Sequence, residues 1–297
     1  MAEIRWTTTA PTGRVSRMTD HARRFHDLHQ QGSFVLPNAW DAASAAVIAA
    51  AGAVAIATTS SGVSWALGVP DGERLGREET VPPAARLARV LHLPVTADVD
   101  PGYGPPPADV AATVEAVIDA GAVGVTLEDP PATGDEPLRG IDDQCERIAA
   151  ARAAADRSGA PFVINARTDV FLYAVGDPAD REDVAIARGE RYAEAGGDCL
   201  FVPGVVDAAV IERLVARSPL PLNILLGAGR GPSPGELGRL GVRRISVGGA
   251  LAGVAHRATR QATEELLAGT DEALRTAIPH AEMEALLTRG EASGRGS

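Results

Sequence analysis

Short apolar runs alternate with Ala-rich amphipathic stretches along nearly the whole chain. The runs are FVLPNAW from Phe34, VAIATTSSG from Val54, PVTADVD from Pro94, VGVTLEDP from Val123, PFVINARTD from Pro161, DCLFVPG from Asp198, PLNILLGAG from Pro221 and RRISVGGA from Arg243. Each is aliphatic or β-branched and ends in turn-forming or polar residues, as buried parallel strands do. Between most of them apolar positions recur at helical spacing, over Ala42–Ala51, Pro83–Leu91, Ala108–Ala120, Asp142–Arg157, Asp183–Ala195 and Ala208–Arg217. Several stretches close on a glycine (Gly52, Gly121, Gly159, Gly196), a residue suited to a helix exit. Eight strand–helix units in one chain predict an α/β protein of the (β/α)8 TIM barrel type. An open doubly wound sheet is the competing arrangement, but it needs fewer strands. After the eighth run, Ala250–Leu267 and Asp271–Leu287 supply more helix than the last unit needs. One of them is expected to pack on a neighbouring subunit, or else to form a local cap. No internal boundary is visible. Residues 1–18 read as a flexible arm, 19–288 as one barrel domain with C-terminal helices, and 289–297 as a disordered tail.

Composition narrows this picture. With 45% apolar but only 4% aromatic residues in 297, the core must be built from Val, Ile, Leu and Ala. The net charge of −11 argues against nucleic acid or an anionic membrane surface as partner. An anionic substrate would need local positive charge or a bound cation to offset that field. The two cysteines, Cys145 and Cys199, form no CxxC, and no run approaches the roughly 18 apolar residues of a membrane span. A reduced, cytoplasmic setting is expected.

In such a barrel the chemistry lies at the C-terminal ends of the strands. There the second run carries Thr59, Ser60, Ser61 and Gly62, the third Asp98 and Asp100, the fourth Glu128 and Asp129, and the fifth Asn165, Arg167 and Asp169. Side chains two apart on a strand share a face, so Asp98 pairs with Asp100 and Asn165 with Arg167. Carboxylates gathered from adjacent strands need a compensating charge, and a hard divalent cation supplies it. Without a His/Cys cluster, zinc is disfavoured. Arg167 then reads as the bidentate holder of a substrate carboxylate or phosphonate, and Ser60-Ser61-Gly62 as an anion nest. Plainer readings stand beside these. The aspartates suit an acidic turn, Arg167 suits a structural ion pair with Asp169 or Glu128, and the Thr/Ser run suits ordinary loop polarity. A calcium EF-hand is disfavoured, because its sixth and twelfth positions hold Tyr103 and Asp109 instead of Gly and Glu.

SSG at 60–62, LGVPD at 67–71, DVDPGYG at 98–104, LED at 127–129, NARTD at 165–169 and GVRRISVGG at 241–249 together resemble the isocitrate lyase/phosphoenolpyruvate mutase superfamily. The resemblance spans about residues 34–250. It implies a helix-swapped (β/α)8 barrel, a homotetramer, Mg²⁺ (or Mn²⁺) dependence, and 2-oxo or 2-hydroxy acid substrates that pass through an enolate-like state. By position it makes Asp98 the main metal ligand, with Asp71, Asp100 and Glu128 holding the metal's waters. Arg167, Ser61 and Gly62 would bind the acidic group, with the Ser60/Ser61 register left open.

The chain also departs from that pattern. The lyase branch carries Lys-Lys-Cys-Gly-His after the fourth strand; here DPPATGDEPLRG at 129–140 has no Lys, Cys or His. Cys145 follows within a helical pattern, where helix packing is the favoured reading and a catalytic thiol the alternative. The Glu that lyases carry after the sixth strand is replaced by Gly204, and the mutase branch's Asn and His are also missing, with Pro203 near the His position. The expected function is a Mg²⁺-dependent lyase or decarboxylase acting on a small oxo-acid. Carbon–phosphorus chemistry and a non-catalytic metal/dicarboxylate-binding barrel are the alternatives. Candidate proton-transfer groups are Glu128, Tyr103 and, in the altered loop, Thr133, Asp135, Glu136 and Arg139.

Overall fold

The computed structural model describes residues 12–130, 137–227 and 229–292. Among them, nine parallel strands form one sheet: β1 (Phe34–Leu36), β2 (Asn38–Ala39), β3 (Ile56–Thr58), β4 (Val95–Asp98), β5 (Gly124–Leu127), β6 (Val163–Arg167), β7 (Cys199–Phe201), β8 (Leu222–Leu225) and β9 (Arg244–Ser246). The order is β1-β9-β8-β7-β6-β5-β4-β3-β2, so the two edge strands are consecutive in the chain. Both come from the run beginning at Phe34. Pro37 separates them, because proline has no N–H to give a ladder, although its carbonyl still accepts from Ala57 N at 3.0 Å. The sheet therefore closes as eight barrel staves, one of them interrupted.

A helix follows each stave: α2 (Ala42–Ala50), α4 (Arg77–Val90), α5 (Pro107–Asp119), α6 (Ile141–Asp156), α7 (Arg181–Glu194), α8 (Ala208–Arg217), α9 (Pro234–Arg239) and α10 (Ala250–Leu267). Strand residues that point outward meet the inner faces of these helices. Val125, Leu127, Ile164 and Ala166 pack in one core with Val110, Val114 and Val117 of α5 and Ile148, Ala151 and Ala155 of α6. Burying each valine or isoleucine stabilises the fold by about 1.5–3 kcal/mol, and the alanines let the helices sit close. The helix boundaries follow the sequence pattern to within a residue or two except at α4. That helix starts at Arg77 and takes in Pro82 and Pro83, its start fixed by Glu79, whose Oε2 accepts from Gly76 N.

Among the described residues, three α-helices fall outside the repeating units. The first, α1 (Thr12–Gln30), includes the last part of the stretch read as a loose arm, which corrects that reading. It closes the N-terminal end of the barrel. Ala22 and Phe25 pack with Phe34, Ala55, Val123 and Val163 at the strand starts. Gly124 makes room for this plug, since a Cβ there would lie 3.1 Å from the Phe25 ring and 2.7 Å from Val163 O. The second, α3 (Ser60–Ala66), is inserted after β3. At the other terminus Pro279 divides the helix expected over Asp271–Leu287 into a 3₁₀ turn (Ala273–Thr276) and α11 (His280–Ala292). α11 packs against α2 and α4. α10 buries only Ala252 and leaves Val254, Leu266 and Leu267 exposed. Among the described residues no helix is long and apolar enough to cross a membrane.

Candidate functional site

β4 delivers Asp98 at the mouth of the barrel, and its pairing with β5 sets Asp98 level with Thr126. The ladder continues past both strand ends: Val99 N donates to Thr126 O at 3.2 Å, and Glu128 N to Asp100 O at 3.2 Å. Asp98, Asp100 and Glu128 are thereby gathered, each offering a carboxylate oxygen within 4.8 Å of the others. Asp98 is further oriented by Ser60 N, which donates to its Oδ2 at 3.0 Å. Its Oδ1 is buried and accepts no hydrogen bond among the described residues.

The DPGYG turn that follows is held in a left-handed path. Asp100 has φ +49°, Gly102 +98°, Tyr103 +56° and Gly104 +144°. The two glycines are required by space as well as by φ. A Cβ would lie 2.9 Å from the Val110 side chain at Gly102, and 2.0 Å from Asp109 Oδ2 at Gly104. Asp100 and Tyr103, as L-residues, carry strain there. The turn brings the Tyr103 hydroxyl to donate to Asp100 Oδ2 at 3.3 Å.

The electrostatics suit a cation. Burial, then the charges of Asp98 and Asp71, push Asp100 up to about 7. Burial raises Glu128 well above the usual carboxylate range, and Asp169, Asp98 and Asp100 add to this against the opposing Arg167. Asp100 and Glu128, both reluctant to ionise, and Asp98, whose Oδ1 is buried without a hydrogen bond among the described residues, form an all-oxygen donor set that fits a hard divalent ion. Burial likewise pushes the Tyr103 hydroxyl far above its ordinary value, so it stays protonated.

Arg167, at the end of β6, is the cation beside this cluster. Its Nε and Nη2 donate to Asp169 Oδ1 and Oδ2 at 2.7 and 3.1 Å, and Nη1 pairs with Glu128 Oε2. The guanidinium lies 5.8 Å over the Phe201 ring. Those pairs hold its ionised form, raising it above its already high value despite burial. The structural ion pair and a role at the mouth are thus compatible, because Nη1 and Nη2 each keep one further N–H.

Among the described residues, the other expected site residues stand at the rim of the cluster or below it. Asn165 is fully buried, two residues back on β6 and so roughly 7 Å deeper, with its Nδ2 donating to Thr126 Oγ1 at 3.0 Å. It belongs to the closed interior and not to the open mouth. Ser60, Ser61 and Gly62 form the first turn of α3 rather than a free nest. Ser61 Oγ pairs with Thr59 Oγ1 at 3.1 Å, and Gly62 is buried where a Cβ would come 2.7 Å from Thr59 Cγ2. Asp71 is exposed on the loop after α3 and is not one of the three clustered acids, though its charge reaches Asp100. Thr133, Asp135 and Glu136 lie outside the described residues. Arg139 anchors the base of their loop, with Nη1 on Asp143 Oδ2 at 2.8 Å. Cys145 lies between α6 and α7, Sγ against Arg191 O at 3.5 Å, and burial pushes its thiol up, the reverse of an activated thiolate.

The pattern of the sequence did not single out the support for this mouth. Asp129 is fully buried. It accepts from Asp169 N at 2.9 Å, Arg188 Nη1 at 2.9 Å and Tyr192 OH at 2.6 Å. Arg188 and Tyr192 are one helical turn apart on α7, and that spacing of buried polar residues was the available signal. Below the mouth, Arg244 crosses the barrel interior to Thr126 Oγ1 at 3.3 Å, and burial pushes it down to about 10.

Barrel, carboxylate cluster and adjoining arginine define a (β/α)8 protein of the isocitrate lyase/phosphoenolpyruvate mutase superfamily. The family described as phosphoenolpyruvate phosphomutase matches residues 25–267, and the chain belongs to it. An uncharacterized protein of Mycobacterium tuberculosis is 38% identical over 269 residues, covering 89% of this chain and 95% of the relative. Oxaloacetate decarboxylase of a Bradyrhizobium strain is 32% identical over 230 residues, covering 75% of this chain and 76% of the relative. The crystal structure of 2,3-dimethylmalate lyase, a member of the same superfamily, superimposes with a TM-score of 0.80 at 26% identity, covering 94% of this chain and 96% of the other.

Proposed function

We propose that the chain is a Mg²⁺-dependent lyase or decarboxylase that breaks a carbon–carbon bond in a small 2-oxo or 2-hydroxy acid. The observation that carries this reading is the cluster of Asp98, Asp100 and Glu128, with Asp98 Oδ1 buried and unpartnered beside Arg167. Asp98 would hold Mg²⁺, or Mn²⁺ in its place, with Asp100, Glu128 and the exposed Asp71 reaching it through water. Such an ion supplies Lewis-acid polarisation of the substrate's carbonyl oxygen.

The chain's own groups account for the rest. The remaining N–H groups of Arg167 bind the substrate's acidic group. They are joined by the N–H groups of Ser61 and Gly62, which a first helical turn leaves without intrahelical acceptors. When the bond next to the carbonyl breaks, its electron pair becomes an enolate on the substrate, and a proton must then be supplied to carbon. Glu128, whose carboxyl burial pushes up, is suited to hold that proton, and Tyr103 to donate a hydrogen bond at the same mouth. The exposed apolar residues of α10 support a homo-oligomer in which that helix packs on a second copy, as in a helix-swapped tetramer.

A carbon–phosphorus reaction is the second reading, favoured by the phosphoenolpyruvate phosphomutase family match. Incubation with Mg²⁺ and oxaloacetate, substituted malates, methylisocitrate and phosphonopyruvate separates the two. Pyruvate release from the carbon acids supports the first, and a new ³¹P signal from phosphonopyruvate the second. Tight oxalate binding without any turnover would make the chain a binding barrel and overturn both.

A further inference from the structure

α6 follows the altered loop, and its buried face carries Gln144 and Arg147, three residues apart and neighbours on the helix surface. Both are fully buried, which is uncommon for either residue type. Gln144 Nε2 donates to the backbone carbonyl of Glu128 at 3.2 Å. Arg147 reaches the other half of the cluster. Nη1 donates to Pro105 O at 2.6 Å, and Nη2 to Gly104 O at 3.0 Å and to Pro101 O. A buried guanidinium spent on three backbone carbonyls is costly unless the segment it holds needs holding. That segment is the left-handed DPGYG turn, where Asp100 and Tyr103 are strained and Asp100 is turned toward Asp98 and Glu128. On the far side Thr113 Oγ1 takes Gly102 O at 2.9 Å, so the carbonyls of residues 101, 102, 104 and 105 are all tied.

We infer that Gln144 and Arg147 are positioning residues that set the spacing between the Asp98/Asp100 and Glu128 halves of the site and so select a small, strictly octahedral ion. One face of one helix grips both halves, so neither can drift relative to the other. Mg²⁺ demands near-ideal geometry at about 2.0–2.1 Å, whereas Ca²⁺ accepts a looser shell at about 2.3–2.6 Å. A rigid frame therefore favours Mg²⁺, and loosening it costs Mg²⁺ more than Ca²⁺. The sign for Arg147 is diagnostic. Removing a buried positive charge near a cation site would, by Coulomb's law alone, tighten the binding of either ion.

This inference rests on the carboxylate cluster being a metal site, and the test separates the two. Mg²⁺ and Ca²⁺ are titrated by calorimetry into metal-free wild type, Gln144→Met, Arg147→Met and the milder Arg147→Lys, with thermal unfolding of each metal-free protein as a folding control. Wild type that binds neither ion sinks the metal site itself. Given wild-type binding, we expect each Met variant to weaken Mg²⁺ about tenfold or more and Ca²⁺ less than about threefold, with Arg147→Lys in between. Equal weakening of both ions in step with a lower melting temperature would assign the residues to stability alone and overturn the inference. Unchanged or tighter Mg²⁺ binding in the folded variants would overturn it as well.

Discussion

Asp100 offers a quantitative handle on the site, and Asp100→Asn is the perturbation. Burial and the neighbouring carboxylates move its ionisation from an ordinary 3.8 to about 7. Between those values the folded protein holds a proton that the unfolded chain has released. Metal-free wild type is therefore unaffected by this group below 3.8, loses stability as pH rises from there to about 7, and loses no more above it. The gap corresponds to about 4 kcal/mol at full ionisation, an upper bound because the surroundings relax. Asparagine is neutral, keeps an oxygen for the Tyr103 hydroxyl and tolerates φ of +49° better than most residues. In the presence of a chelator, Asp100→Asn should thus stabilise the protein by about 1–4 kcal/mol at about pH 8 and by almost nothing near pH 4. Thermal unfolding reads this as a rise of roughly 2 °C per kcal/mol in a domain of this size. A variant less stable than wild type at the higher pH, or a shift equal at both, would refute the assigned electrostatics. The same proton competes with metal, so wild-type Mg²⁺ affinity should fall about tenfold per pH unit below about 7.

Two further outcomes follow from the geometry. Arg167→Lys keeps the charge but loses the fork that spans Asp169 and Glu128. Each charge-assisted hydrogen bond is worth about 1.5–3 kcal/mol, so kcat/KM should fall roughly 10–100-fold, and an unchanged value would remove Arg167 from the site. Cys145→Ser should leave turnover within about twofold, since the thiol faces Arg191 between two helices; lost activity in a folded variant would mean a cysteine mechanism after all.

The barrel was legible because fully buried parallel strands write themselves as short aliphatic runs, and all of the runs became staves. That Asp98, Asp100, Glu128 and Arg167 come together was legible because all four stand at or just past the C-terminal ends of neighbouring strands. Other features depended on contacts that a linear pattern does not carry. α1 buries only Ala22, Phe25 and His29 among its described apolar and polar side chains, a spacing easily lost in a stretch rich in Arg and His. Ser60–Gly62 became a helix start because Asp98 satisfies the first free N–H. Asn165 shares a face with Arg167, yet depth along the strand separates the closed interior from the mouth. The contacts of Gln144, Arg147 and Arg188 follow from the fold, which alone brings them to the carbonyls and carboxylates they meet.

The proposed function rests on Asp98 anchoring a divalent cation. Isothermal calorimetry of Mg²⁺ with wild type and with Asp98→Ala, each metal-free and folded by circular dichroism, tests it most directly. A saturable one-site isotherm is expected for wild type and none for the variant. Equal binding by the two proteins would contradict it.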